Sequence, residues 1–207
     1  MKKAEQLTYA ISLLPDKESA AQIKAAAKAL ADNCANNFMV EHDVPPHLTL
    51  GVFHATQAEL PGLQKLFRDF AKNFWATKNG RAAFGNDGAL SLKFFGADNF
   101  LDKVIFLSLG NREQARKSNP ALFELNAALH NLIGGSFEPG DNRNYIPDNC
   151  HPHIALAVKL NAAQFKKGFD FAQSLCLPKR AGVFALSLAQ CKPYKEIEQL
   201  CLVGGAN

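Results

Sequence analysis

Two histidines in near-identical surroundings are the residues of this sequence best placed to do chemistry. His47 sits in Pro46-His47-Leu48-Thr49-Leu50 and His153 in Pro152-His153-Ile154-Ala155-Leu156. An imidazole titrates near neutral pH, so a pair can supply a base and an acid to one reaction. An in-line displacement at phosphorus asks for that pairing: one proton leaves the attacking oxygen while another reaches the departing one. The two segments alone leave open which imidazole takes which part. Successive side chains of a strand point to opposite faces, so Thr49 shares a face with His47, while Leu48, Leu50 and Val52 pack on the other. The second copy has Ala155 at the matching position.

The flanking segments must hold these strands in place. Leu7, Tyr9, Ile11 and Leu13 alternate with small or polar residues, which predicts a half-buried strand closed by Pro15. A helix capped by Asp16 follows, with Ile23, Ala27, Leu30 and Cys34 on one face. After the first histidine strand, Thr56-Gln57-Ala58-Glu59 reads as a capping box for a helix with an apolar stripe of Leu63, Leu66, Phe67, Phe70 and Phe74. Trp75 to Phe84 and Ala89 to Phe95 read as two strands joined by Gly85-Asn86-Asp87-Gly88.

The order then begins again. A strand around Val104, Phe106 and Leu107 precedes a helix opened by Asn119-Pro120 and ended by Gly134-Gly135. The loop Ser136 to Cys150 leads to the second histidine strand, which is followed by a helix capped at Asn161-Ala162-Ala163-Gln164 and by strands at Ala181 to Gln190 and Ile197 to Val203. Both halves, about 6–96 and 102–204, thus read strand, helix, histidine strand, capped helix, strand, strand. The expectation is one α+β domain over 1–207: two pseudo-symmetric lobes of antiparallel sheet, with flanking helices, around a central groove that brings the distant histidines together.

At these residues the sequence resembles the two-histidine (2H) phosphoesterase superfamily, which carries paired His-hydrophobic-Ser/Thr-hydrophobic motifs on the strands of two lobes. His47-Leu48-Thr49-Leu50 matches in full, and His153-Ile154-Ala155-Leu156 departs at Ala155. The resemblance implies a cyclic phosphodiesterase or 2′-5′ RNA ligase-like enzyme that opens 2′,3′-cyclic phosphates, or makes and breaks 2′-5′ linkages, in RNA ends or small nucleotides. It implies His47 and His153 as catalytic residues and Thr49 as a phosphate ligand. Ala155 leaves one hydroxyl donor short, which costs on the order of 1.5–3 kcal/mol at a charged phosphate, and Lys192, Lys93, Arg143 or Tyr145 could supply an auxiliary donor in its place. No metal or cofactor is implied. The reading from a different class is a nucleotide- or RNA-binding protein of the same fold whose chemistry Ala155 has weakened.

Composition fits this picture. The 207 residues are 47% hydrophobic, enough for one sizeable core, and the formal charge of +4 favours phosphate-bearing ligands. Five cysteines, an odd number without C-x-x-C spacing, read as reduced thiols rather than a disulfide frame or zinc site. Cys150-His151-Pro152-His153 lacks a further ligand at recognisable spacing. The N-terminus has no apolar run of a secretory signal and no stretch is long enough for a membrane span, so a monomeric, cytoplasmic protein is expected. Among the remaining side chains, Phe53 or Phe95 could stack on a base, His42, His54 and His130 read as surface or cap residues, and the loop Gly134 to Asn149 reads equally as a substrate flap or a simple connection.

Overall fold

The structure is a computed structural model and describes residues 5–76 and 90–202. Two curled antiparallel sheets carry the architecture. In the first, β1 (Gln6–Pro15) lies between β2 (Leu48–Thr56) and β8 (Arg180–Gln190). Short β6 (Glu138–Pro139) extends it beyond β2, while β3 (Leu90–Lys93) and β9 (Lys195–Cys201) share the far edge of β8. The second sheet is β4 (Gly96–Phe100), β5 (Val104–Ser108) and β7 (His153–Ala157) in that order. The two-lobed α+β architecture expected from the sequence is therefore present. The first sheet nevertheless takes strands from both ends of the chain.

Helices cover the outer faces. Helix α1 (Lys17–Cys34) begins where the Asp16 carboxylate accepts from the Ser19 backbone amide at 2.8 Å, satisfying an otherwise orphaned donor. Its Ile23, Leu30 and Cys34 are buried, and it packs against α6 (Ala162–Ser174), whose Asn161 and Gln164 form the expected capping box. At Thr56 the expected box is one-sided: the Glu59 carboxylate accepts from the Thr56 amide at 2.7 Å, and α3 (Leu60–Ala76) starts one residue later. Two helices were not anticipated, the single turn α2 (Phe38–Glu41) and α4 (Arg112–Ser118); the latter runs into α5 (Pro120–Ile133), which begins at its proline as predicted.

One strand assignment is corrected. Trp75 and Ala76 belong to α3 rather than to a strand, because the helical spacing of Leu63, Phe67, Phe70 and Ala71 meets no Gly or Pro that would stop it. Residues 77–89, including the rest of that strand and its turn, lie outside the described residues, as do the side chain of Phe74 and residue Val203. Strand β3 falls within the expected Ala89 to Phe95.

The alternation along the central strands makes the groove. On β1, Tyr9, Ile11 and Leu13 are buried in the core, while Ala10, Ser12 and Leu14 face a cavity across which β8 presents Ser187 and Ala189. On β2 the parity changes midway. Leu48 and Leu50 are buried, and so are Phe53 and Ala55, because Ile11 pairs with Gly51 while Ser12 pairs with Thr49, leaving Leu50 as the extra residue of a bulge. Val52 is accordingly turned out of the expected core set and is half-exposed. Gly51 lets α5 approach the bulge: a Cβ there would come within 3.0 Å of Leu129 and Phe53 and 3.1 Å of His130. Replacing Gly51 by Ala is expected to destabilise the protein by about 1–3 kcal/mol through this overpacking, read as a lower midpoint of chemical denaturation.

Candidate active site

The histidine strands present their imidazoles in the same way. His47 Nδ1 lies 2.8 Å from the carbonyl oxygen of Pro45, and His153 Nδ1 lies 2.9 Å from that of His151. A carbonyl can only accept, so in both rings Nδ1 carries the proton and Nε2 is the basic nitrogen of the neutral form. Each acceptor precedes a proline, Pro46 or Pro152, which holds the preceding residue extended and offers no amide hydrogen of its own.

The rings influence one another. Burial pushes the His47 pKa below its usual value. Burial also lowers His153, to about 4, with additional repulsion from His151 and from His47. Phe100 and Phe106 flank the His153 ring at centroid distances of 4.8 and 5.1 Å, which accounts for its desolvation.

Tyr145 joins the two motifs. Its hydroxyl shares a hydrogen bond with the Thr49 side chain, and its ring stacks on His153 at 5.9 Å. Burial raises its pKa, so the phenol remains protonated at neutral pH. Thr49 itself is buried and accepts from the Ser12 hydroxyl at 3.4 Å; Ser187, directly across from Ser12 on β8, continues a row of hydroxyls over three strands.

His47, Ser12 and Ser187 line a groove of about 490 Å³, together with Cys191, Lys192 and Tyr194 on one wall. On the other wall Phe38 stacks on His42 at 4.1 Å, and Lys159 Nζ lies 3.8 Å from the Phe38 ring centroid. Among the described lining residues the cations are Lys159 and Lys192, and the Glu196 carboxylate stands just behind the lining, accepting from the Ser187 hydroxyl at 3.4 Å. His153 and Tyr145 are not part of this lining. Ala155 opens instead onto a smaller cavity of about 200 Å³ between Pro46 and helices α1 and α2.

The remaining sequence expectations divide. Tyr145 and Lys192 meet the site as described, whereas Arg143 is exposed on the 3₁₀ turn Arg143–Tyr145 and does not line the groove. Phe53 is fully buried and unavailable for base stacking; Phe95 is 40% exposed, and Lys93 lies beside it. His130 is a half-buried structural residue rather than a surface or cap residue: its Nε2 donates to the Tyr145 carbonyl at 2.9 Å. Asn126, one helical turn earlier and buried, donates to that same carbonyl at 2.8 Å and to the Leu50 carbonyl at the bulge. Arg112 and Arg116 of α4 donate to the carbonyls of Asp148 and Pro147. The segment leading to His153 is thus braced from two helices, as a fixed strap rather than a flap.

Sequence reasoning missed Ser12, Ser187 and Asn126. The pair Asn126 and His130, four residues apart among the buried apolar positions of α5, was the available signal. Among the described residues, no group of three or more His, Cys, Asp or Glu side chains is arranged to hold a metal ion. Burial pushes the Cys150 thiol up to about 11, which makes it a poor thiolate donor.

Neither a family model nor a curated protein matches this sequence. Solved structures do match the fold. A phosphoesterase aligns at TM-score 0.52 and 14% identity, covering 97% of this chain and 100% of that one, so the two share a fold. The E. coli protein LigT aligns in its apo form at TM-score 0.51 and 17% identity, and in its complex with 3′-AMP at 0.51 and 14%, each over 97% of this chain and 100% of that chain. The fold expected from the paired histidine motifs is the fold found.

The depressed His153 pKa has a consequence for stability. The unfolded chain takes up a proton near pH 6.5 and the folded state only near 4, so this contribution is fully present above 6.5 and is lost as pH falls between those values. The unfolding free energy is expected to drop by about 3 kcal/mol across that window because of this residue. Denaturant midpoints measured against pH should show that slope, and His153→Gln should flatten it.

Proposed function

We propose that this protein is a phosphoesterase of the two-histidine type, acting on 2′,3′-cyclic phosphate or 2′-5′ linkages in RNA or small nucleotides, with His47 and His153 as its proton-transferring residues. The observation that carries the reading is the matched pair of Nδ1 hydrogen bonds, which leaves the same nitrogen of each ring, Nε2, free to exchange a proton. One Nε2 takes the proton of the attacking water or hydroxyl, and the other, protonated, delivers one to the departing ribose oxygen. Two proton carriers suffice for that exchange. Thr49 donates to a non-bridging oxygen, and the Tyr145 hydroxyl beside it offers the donor that Ala155 lacks.

The electrostatics of the groove support an anionic ligand. Burial holds both imidazoles toward the neutral form, whereas a phosphate beside an imidazole raises its pKa and favours the charged acid. The flat rings of Phe38, His42 and Tyr194, with Lys159 and Lys192, fit a base and its phosphate. The +4 charge is consistent with such a partner, and the five unbridged thiols fit a cytoplasmic setting. No helix among the described residues is long and apolar enough to cross a membrane.

Hydrolysis of a 2′,3′-cyclic mononucleotide in chelator-containing buffer tests the reading. His47→Ala and His153→Ala should each lower kcat by about 10²–10⁴-fold, and unchanged turnover in either variant removes that residue from the chemistry. The kcat/KM profile reports the free protein, where both histidines titrate below 6.5; it should therefore be bell-shaped with its maximum on the acid side of that value. A maximum above pH 7 would contradict the assignment. Ala155 supports a second reading, a nucleotide-binding protein with weakened chemistry, for which the expected outcome is tight binding of the same nucleotide without turnover. Ala155→Thr should then raise the rate.

A further inference from the structure

Away from the histidine groove, the strand ends of β3 and β8 form a second concavity of about 530 Å³. Among its described lining residues the cations are Lys93, Lys179 and Arg180, and none is a carboxylate. Lys93 and Arg180 are register partners on adjacent antiparallel strands, so two like charges stand on one face with their Cβ atoms about 5 Å apart. Such a pair is unfavourable in the free protein and becomes favourable when an anion lies between. Among the described residues no Asp or Glu forms an ion pair with Lys93, Lys179 or Arg180.

An aromatic ring completes the surface. Phe95, which follows β3 in the connection to β4, is 40% exposed although its neighbour Phe94 is buried in the core. Lys93 Nζ lies 5.2 Å from the Phe95 ring centroid, so a cation and an open π-face are presented together. The backbone beneath is fixed: Asn119 accepts from the Lys93 amide at 2.7 Å and donates to its carbonyl at 3.2 Å, and the Phe94 amide donates to the Lys179 carbonyl. Opposed cations beside an exposed ring are what a single nucleic-acid strand asks of a protein, charges for its phosphates and a flat face for a base.

We propose that this concavity is a contact surface for single-stranded RNA, separate from the histidine groove. Along β8, Arg180 precedes the groove residue Ser187 by roughly 23 Å of strand rise, which places the two surfaces within reach of one oligonucleotide. The surface would select substrates longer than a mononucleotide by holding the chain beyond the reacting end. None of the catalytic residues lines this surface; its role in substrate selection rests on the phosphoesterase reading, whereas RNA binding by it does not.

The test compares two readouts on the full chain: affinity for a single-stranded RNA of about ten nucleotides, over a series of salt concentrations, and turnover of a 2′,3′-cyclic mononucleotide. Combining Lys93→Gln, Lys179→Gln and Arg180→Gln should weaken RNA binding at least tenfold and make the slope of log K against log salt shallower by about 2, since three contacts release counterions. Phe95→Ala should weaken it by about tenfold with the slope unchanged. Neither variant should alter mononucleotide turnover or the thermal unfolding midpoint. Unchanged RNA affinity in the triple variant overturns the proposal. So does a loss of binding to phosphatidylserine vesicles without any loss for RNA.

Discussion

Two backbone carbonyls, those of Pro45 and His151, decide what the site can do. A free imidazole tumbles between tautomers and rotamers, and neither of its nitrogens is dedicated to a partner. Once Nδ1 is committed to a carbonyl, the opposite nitrogen becomes the only proton acceptor of the neutral ring and its direction is set. The proline before each histidine supports this arrangement by keeping the acceptor residue extended. The same hydrogen bond occurs at the start of β2 and of β7, one strand in each sheet.

The other buried polar groups follow from the need to bring those strands into register with a groove. The bulge at Leu50 breaks the β1–β2 ladder where the chain changes the face it buries, and the Asn126 amide takes up the Leu50 carbonyl. The same amide and the His130 ring fix the Tyr145 carbonyl, which sets the phenol between Thr49 and His153. One face of α5 therefore aligns elements from both sheets. Gly51 favours it, since a Cβ there would press on the side chains of Leu129 and His130.

Much of this was legible because local signals agreed with the fold. Period-2 alternation located β1 and the histidine strands, and the Asp16, Asn161 and Pro120 signals located three helix starts. What was not legible depends on contacts remote in sequence. The serines of β1 and β8 look like ordinary strand residues until the register sets Ser12 opposite both Thr49 and Ser187. The parity change on β2 left no trace beyond Gly51. The end of α3 was misread because aromatic residues with good strand propensity also occur in helices, and Trp75 belongs to the helix. Phe53, open to view as a base platform in sequence, was claimed by the core once the bulge turned it inward.

The way β8 is threaded has a bearing on how the molecule comes into being. Tyr9 pairs with Gln190 and Pro15 with Val183, so the strand at the centre of the first sheet stays half-unpaired until synthesis has passed β8, about 170 residues further on. During synthesis β1 and β2 can already form a ladder, but one edge of that ladder, rich in apolar residues, lies open to any other strand that passes. Such a topology makes acquisition of the native state slow and dependent on distant contacts, and it places the hazard of wrong pairing before β8 arrives rather than after.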